Sequence, residues 1–290
     1  MMRLAEPDCT FEHVIDICIL GITGNAALKQ NVESEKQNLV SVGEHYSASS
    51  RSGSLYLIQP IDTSLDQNPL VLGRLMKSDF IKLYETYFVP EEKSARDIYN
   101  KILNAAMESC PFCGGIGTPR NLDHFLPKAH FPQFSILPVN LVPSCRDCNM
   151  DGKSAAFADQ AENQIIQPYL DDDRFFVVQW IFAAYEDGLN GEPGKFTYYV
   201  QTPAGWSDTD KRRATKHFED FNIGHRYAIK AAQLLGTVMA QVEALRRIGL
   251  TRDLIRETIF EPGVAQAQFP NHWQRGFYQA LMNALVGGAV

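Results

Sequence analysis

Apolar positions recur at helical spacing in several parts of the chain. Between Pro69 and Phe88 they repeat every three or four residues until Pro90, which predicts a helix that ends there. A second helix is predicted from about Glu91 to Met107, and a long one near His225 to Arg247 with a continuous apolar stripe. The first hundred residues and the part beyond Ser207 are therefore expected to be mostly helical.

Other segments have strand or loop patterns. The stretches "RFFVVQWIFAAYE" and "KFTYYVQT" are aromatic and β-branched, and the turn-rich "DGLNGEPG" between them predicts a β-hairpin. Ser47 to Ser54 and Gln59 to Asn68 are expected to be loops. Residues 110 to about 160 carry Cys, Pro, Gly and Asn between short apolar segments, which predicts two brief strands followed by a helix.

These patterns predict an α+β, mostly helical protein in three parts. Residues 1–107 form a helical N-terminal region, and residues 108–160 form a small central unit. Residues 161–290 combine the β-hairpin with a helical C-terminal region. The chain has 290 residues, of which 45% are apolar and 21% charged, a composition typical of globular proteins. No apolar run approaches the roughly 20 residues that cross a bilayer, and no secretory leader is visible, so we expect a cytoplasmic location without membrane association.

The cysteines indicate a metal site in the central unit. Cys110, Cys113, Cys145 and Cys148 form two Cys-x-x-Cys pairs separated by 31 residues. Four thiolates in this arrangement suit the tetrahedral geometry of structural Zn²⁺, with no open position for chemistry. An iron–sulfur cluster or a redox dithiol would use the same spacing, but no βαβ redox pattern surrounds the pairs. We therefore predict a structural zinc.

Charge is unevenly distributed. The net charge of −7 argues against a protein that coats nucleic acid by bulk electrostatics. Residues 211–256 nevertheless hold ten basic side chains against four acidic ones. We predict that this region contacts the DNA backbone, through Arg212, Arg213 and Lys216, unless it is simply a solvated helix face.

Polar residues stand in a fixed order around the second cysteine pair. Asp123, His124 and Asn140 lie between the pairs, and Asn149 follows Cys148. This order, within "LDHFLP" and "NLVPSCRDCN" and with a lysine further on, resembles the motif of HNH endonucleases, the ββα-metal nucleases, in their zinc-clipped form. The resemblance covers about Cys110 to Ser154. It implies that the central unit is a zinc-bound ββα-metal nuclease domain.

The resemblance and the chemistry of phosphodiester hydrolysis assign roles to these residues. His124 would be the general base, since a neutral imidazole accepts a proton near pH 7. Asn140 would fix either the loop or the His124 ring. Asp123 and Asn149 would hold a catalytic Mg²⁺ or Mn²⁺, although strand alternation places Asp123 and His124 on opposite faces unless the strand end is twisted or bulged. Arg146 and Lys153 would contact phosphates.

The expected function is metal-dependent hydrolysis of DNA. The layout also resembles HNH effectors of bacterial anti-phage systems of the Septu, retron or Zorya type, which implies a partner ATPase or motor protein. One HNH centre cuts one strand, so double-strand cleavage would need a homodimer or two successive nicks. The alternative is a non-catalytic zinc ribbon that binds nucleic acid or protein, in which Asp123 and His124 are structural. The ordered set of Asp123, His124, Asn140 and Asn149 favours the nuclease.

Overall fold

A computed structural model describes residues 1–153, 156–188 and 194–285. This part of the chain is an α+β structure, about 53% helical, with small two-stranded sheets. The helices are α1 (Phe11–Gly21), α2 (Ala26–Arg51), α3 (Lys77–Lys82), α4 (Arg96–Asn104), α5 (Arg174–Val177), α6 (Asp208–Asp220), α7 (Ile223–Arg247), α8 (Arg252–Ile255), α9 (Glu261–Ala265) and α10 (Trp273–Leu285). The strands are β1 (Leu70–Leu72), β2 (Leu75–Met76), β3 (Asn121–His124), β4 (Leu141–Ser144), β5 (Ile181–Glu186) and β6 (Lys195–Val200).

Several short helical segments complete the structure. Wider π-type turns cover Leu83–Phe88, Asp147–Lys153 and Arg256–Phe260. Short 3₁₀ turns cover Leu55–Leu57, Pro132–Phe134, Pro138–Asn140 and Ala161–Asn163. Several α-helices have N-cap side chains: the side-chain oxygens of Thr10, Asn25 and Ser207 accept hydrogen bonds from backbone amides in the first turns of α1, α2 and α6.

Most of the predicted elements are confirmed. The C-terminal hairpin forms as antiparallel β5 and β6, although the turn residues 189–193 lie outside the described part of the chain. The long helix is α7, and its buried face includes Tyr227, Ala231, Val238 and Val242. The central unit has two strands, β3 and β4, followed by the helical segment Asp147–Lys153, while Ser154 at the end of the motif lies outside the described residues.

Two predictions about the N-terminal region are wrong. Residues Leu70–Met76 form the β1–β2 hairpin, and the predicted helix begins only at Lys77. Gly73 has a φ of 54°, a left-handed conformation that turns the chain between these strands. The expected loop at Ser47–Ser54 is also helical up to Arg51, since Ser47 and Ser52 donate their hydroxyls to carbonyls four residues earlier instead of breaking the helix.

The β3–β4 ribbon lies between two hydrophobic clusters. One cluster contains α1, α3 and α4 together with Leu122 and Leu141 of the ribbon. The other joins the cysteines, the C-terminal hairpin and α7, and it includes Val142 of the same ribbon. Neighbouring residues of β4 therefore face different clusters, as strand alternation requires. Farther along the chain, β5 packs on α10 and β6 packs on α7.

Candidate active site and metal centre

The four cysteines of the two Cys-x-x-Cys pairs meet in the core. The Sγ atoms of Cys110, Cys113, Cys145 and Cys148 all lie within 4.8 Å of one another, and all four residues are buried. The Sγ atoms of Cys113 and Cys145 are 4.0 Å apart. Tetrahedral zinc with Zn–S bonds of about 2.3 Å separates its sulfurs by about 3.8 Å. The cluster can therefore hold a metal ion such as zinc.

Glycines allow the first cysteine pair to turn tightly around the cluster. Gly114 and Gly115 have φ values of 61° and 85°, and the amide of Gly115 donates to the Cys110 carbonyl at 2.9 Å. A Cβ atom at Gly117 would lie 2.5 Å from the Sγ of Cys145. A side chain at residue 117 would therefore push the second pair away from the first.

Arg226 of α7 lies against the same sulfurs. Its guanidinium donates to Cys148 Sγ at 3.2 Å and to Cys145 Sγ at 3.6 Å. It also forms an ion pair with Asp147 at 3.3 Å. Four thiolates around Zn²⁺ would carry a net charge of −2, and this partly buried cation would offset part of that charge. The cysteine cluster thus connects the central ribbon to α7 through Arg226.

Three residues of the predicted site line one cleft of about 500 Å³: Asp123, His124 and Asn149. Asp123 and His124 end β3, and Asn149 lies on the segment Asp147–Lys153, whose start is fixed by the second cysteine pair. The amide of Asn149 donates to the Cys145 carbonyl at 3.0 Å. The register of β3 and β4 is regular, so no bulge is needed to bring the three residues to the cleft.

The His124 ring is buried and held in one orientation. Its Nε2 lies 2.9 Å from the Ser135 carbonyl, and because a carbonyl only accepts, Nε2 carries the proton and Nδ1 is the acceptor. Tyr84 packs edge-on against the ring at 4.5 Å between centroids. Burial lowers the pKa of His124 to about 3, partly opposed by the Ser135 contact, so the ring is neutral at pH 7.

Asn140 holds the loop that follows β3. Its Oδ1 accepts from the amide of Leu126 at 2.7 Å, and its Nδ2 donates to the carbonyls of Leu126 and Phe134 at 3.1 Å each. Asn140 was expected to fix either the loop or the His124 ring, and these contacts fix the loop. Ser135, not Asn140, holds the His124 ring.

Lys153, which was predicted to contact phosphates, is buried and does not line this cleft. It is 5% exposed, and its Nζ donates to the His124 carbonyl at 2.6 Å and lies 3.4 Å from Oδ2 of Asp123. Desolvation raises the pKa of Asp123 and lowers the pKa of Lys153, while each partner opposes the shift of the other. Lys153 therefore neutralises the buried carboxylate and joins the helical segment to β3.

The predicted DNA contacts divide into buried and exposed residues. The prediction for Arg213 is wrong, because its guanidinium is buried in an ion pair with Asp171 and donates to the Gln164 carbonyl. Arg212 and Arg146 are exposed. Lys216 is half-buried and pairs with Asp220 at 2.6 Å.

Two residues of the cleft were not predicted from the sequence. Tyr84 packs against His124, and Lys128 lines the cleft with its Nζ 4.8 Å from the Tyr84 ring centroid. Lys128 also pairs with Glu85 at 2.6 Å. The spacing of Lys128, four residues after His124, was visible in "DHFLPK", but nothing local to Tyr84 indicated that it reaches β3.

The described helices include none that is long and apolar enough to cross a membrane. No family model and no solved structure matches the chain. A curated relative is protein ea31 of Escherichia phage lambda, which is 36% identical over 294 residues and covers 98% of each chain. At this identity over nearly the whole length, the chain belongs to the same family as the lambda phage protein ea31.

Proposed function

We propose that the protein is a metal-dependent endonuclease of the HNH type that hydrolyses phosphodiester bonds of DNA. The observation that carries the proposal is the cleft shared by Asp123, His124 and Asn149, beside a cysteine cluster suited to structural zinc. A carboxylate, a neutral imidazole and an amide together supply a metal ligand, a base and a second oxygen donor, as metal-assisted phosphodiester hydrolysis requires.

The donor atoms fit a hard divalent ion. Oδ2 of Asp123 is buried, and among the described residues it has the Lys153 ion pair at 3.4 Å but no well-formed hydrogen bond, which leaves room for a further ligand on this carboxylate. Asn149 adds an amide oxygen in the same cleft. Mg²⁺ and Mn²⁺ need few protein ligands because they keep waters and bind substrate phosphates. Such an ion would supply charge stabilisation to the phosphate oxygens and help to ionise water.

His124 would act as the general base through Nδ1. The hydrogen bond to Ser135 fixes the ring so that Nδ1 is the unprotonated nitrogen, and Tyr84 limits its rotation. A base with a pKa of about 3 is weak in the free protein. A bound phosphodiester is anionic, and an adjacent anion raises the pKa of an imidazole, so substrate binding would strengthen the base.

Lys128 would contribute a positive charge to the bound phosphate. It lines the cleft and is partly exposed, and its partner Glu85 is exposed, whereas Lys153 is buried against Asp123. The zinc site would act only through folding, since four sulfur ligands leave no coordination position for substrate. The zinc site would contribute by fixing the position of Asn149, which directly follows the second cysteine pair.

The test is a nicking assay with supercoiled plasmid DNA and Mg²⁺ or Mn²⁺. His124→Ala should slow cleavage by about 100-fold or more, the usual contribution of a general base. His130→Ala is the matched control: His130 packs on Phe157 outside the cleft, so the variant should cleave normally. Zinc content and melting temperature establish that both variants fold. Equal cleavage by His124→Ala and the parent would refute the mechanism.

The alternative function is a zinc-containing binding module without catalysis. The Lys153–Asp123 ion pair favours it, because a carboxylate committed to a buried lysine is also explained by a purely structural role. In that case the parent would bind DNA but cleave nothing with either metal, and His124→Ala would bind equally well. The anti-phage role, the ATPase or motor partner and the homodimer stay predictions, and a pull-down and a mass measurement in solution would test the last two.

A further inference from the structure

A second cavity lies apart from the proposed cleft. It has a volume of about 290 Å³ and lies between the turn Leu55–Leu57, the loop after β3 and the end of α6. Aromatic side chains form much of its wall: Tyr56, Phe125, Phe157 and Phe221. Flat aromatic walls favour a planar ring, since stacking on them does not depend on the identity of the base. The volume is at the lower limit of small-molecule sites, which suits one ring system.

Gln164, which lines this cavity, has an unused hydrogen-bond donor. The residue is 2% exposed and lines the cavity. Its Oε1 accepts from the amide of Tyr56 at 3.0 Å, which identifies Nε2 as the other end of the amide. Nε2 is buried and has no hydrogen-bond partner among the described residues. Buried donors without partners are rare, so an acceptor atom on a ligand ring that reaches Nε2 would satisfy it.

A basic groove adjoins the cavity along α6. The groove and the cavity share Asn163 and Lys216, and Lys211 and Arg212 line the groove as well. Arg212 has no carboxylate within 4.0 Å in the described part of the chain. Two carboxylates, those of Glu162 and Glu219, also line the groove. This balance of charge suits one phosphate group better than a polyphosphate chain.

We propose that the cavity and the groove together bind a nucleoside monophosphate unit. The base would enter the aromatic cavity and accept a hydrogen bond from Nε2 of Gln164, and the phosphate would lie against Arg212 and Lys216. Such a unit is found in a free mononucleotide and in a single-stranded nucleic acid. The inference does not depend on the nuclease proposal, because it rests on other residues and predicts binding.

The cavity also contacts the proposed active site. Lys153 lines the cavity on one side and reaches Asp123 and the His124 carbonyl on the other. A bound base would thus lie next to the residue that neutralises Asp123. Occupancy of the cavity is therefore expected to alter the environment of that carboxylate without contact to the cleft itself.

Isothermal titration calorimetry of the zinc-loaded full chain tests the proposal. The probes are the four common 5′-ribonucleoside monophosphates, the four common 5′-deoxyribonucleoside monophosphates, the matching nucleosides and a short single-stranded oligonucleotide. Ala158→Trp fills the cavity from a partly exposed position, and Arg212→Ala removes the unpaired cation. Arg246→Ala, an exposed arginine at the end of α7, is the control for loss of one positive charge.

At least one monophosphate or the oligonucleotide should bind the parent, and a monophosphate that binds should do so more tightly than its nucleoside. Ala158→Trp should weaken binding at least ten-fold, Arg212→Ala should weaken it several-fold and reduce its salt dependence, and Arg246→Ala should leave it unchanged. Gln164→Glu, which replaces the donor by an acceptor, should also weaken binding. If only the oligonucleotide binds with this pattern, the unit comes from a strand; if the mononucleotide binds as well or better, the ligand is free nucleotide. Absence of binding by every probe at millimolar concentration, or binding that Ala158→Trp does not change, overturns the proposal.

Discussion

Replacing Lys153 by methionine tests whether its charge is committed to Asp123. Methionine has a similar length and fills the same space, so the change removes the charge with little loss of packing. Lys153 is 5% exposed and Asp123 is 8% exposed, and the Nζ–Oδ2 distance is 3.4 Å. Lys153→Met therefore leaves a buried carboxylate that has no counter-charge, and it also removes the hydrogen bond to the His124 carbonyl.

The expected loss is large. Removal of one partner from a buried ion pair typically costs about 3–5 kcal/mol of the free energy of unfolding. Asp123→Asn should also destabilise the protein, because the buried Lys153 ammonium then has the His124 carbonyl as a partner but no counter-charge. The double variant Asp123→Asn/Lys153→Met should lose less than the sum of the two single losses, by about 2 kcal/mol or more, since neither charge is then left alone.

Urea denaturation of the zinc-loaded protein without added Mg²⁺ measures these values. Lys128→Met is the matched control, because Lys128 pairs with the more exposed Glu85 and such surface pairs contribute about 0–1 kcal/mol. A loss for Lys153→Met no larger than that for Lys128→Met would contradict the buried ion pair. Additive losses in the double variant would show that the two charges do not interact.

Three further predictions concern the zinc site, pH and glycine. Cys148→Ser should abolish the binding of about one zinc per chain and lower the melting temperature, measured by elemental analysis and calorimetry; full zinc retention would contradict a four-cysteine site. Burial lowers the pKa of His217 to about 3, so its contribution to stability is complete above the unfolded-state pKa of about 6.5 and is lost as pH falls towards 3. His217→Leu should therefore flatten the decline of the unfolding free energy between pH 6.5 and 4.5, by up to about 1.4 kcal/mol per pH unit, and an unchanged slope would refute this. Gly117→Ala should weaken zinc binding and lower the free energy of unfolding, because its Cβ would meet Cys145. Gly236→Ala has open space in α7 and should raise the free energy of unfolding by about 0.5–1 kcal/mol. Equal changes of the unfolding free energy in the two variants would refute the steric argument.

Local sequence predicted the site wherever spacing alone determines position. The spacing of the two cysteine pairs predicted one shared centre, and the structure brings their sulfurs together; Asp123, His124 and Asn149 line one cleft, although strand alternation alone placed Asp123 and His124 on opposite faces. The amide of Asn140 was likewise expected to hold the loop or the ring, and it holds the loop.

Long-range partners determined what the sequence could not predict. Arg213 was assigned to DNA because it stands among other basic residues, yet its partner Asp171 lies 42 residues earlier and buries it. Lys153 is similar, since its contacts to β3 cross 29 residues of sequence. Ser47 and Gly73 show the converse case, in which local features decide: the Ser47 hydroxyl bonds within the helix that covers an expected loop, and left-handed Gly73 forms a hairpin turn where a helix was expected.

The position of β3 and β4 between two hydrophobic clusters limits how the chain can be shortened. Leu122 and Leu141 are covered by N-terminal helices, and Val142 is covered by the C-terminal part. In a fragment of residues 108–160, both hydrophobic faces of the β3–β4 ribbon would be exposed to water. We expect such a fragment to aggregate rather than fold. A minimal folded fragment should therefore retain both flanks, even though neither flank supplies a cysteine to the cluster.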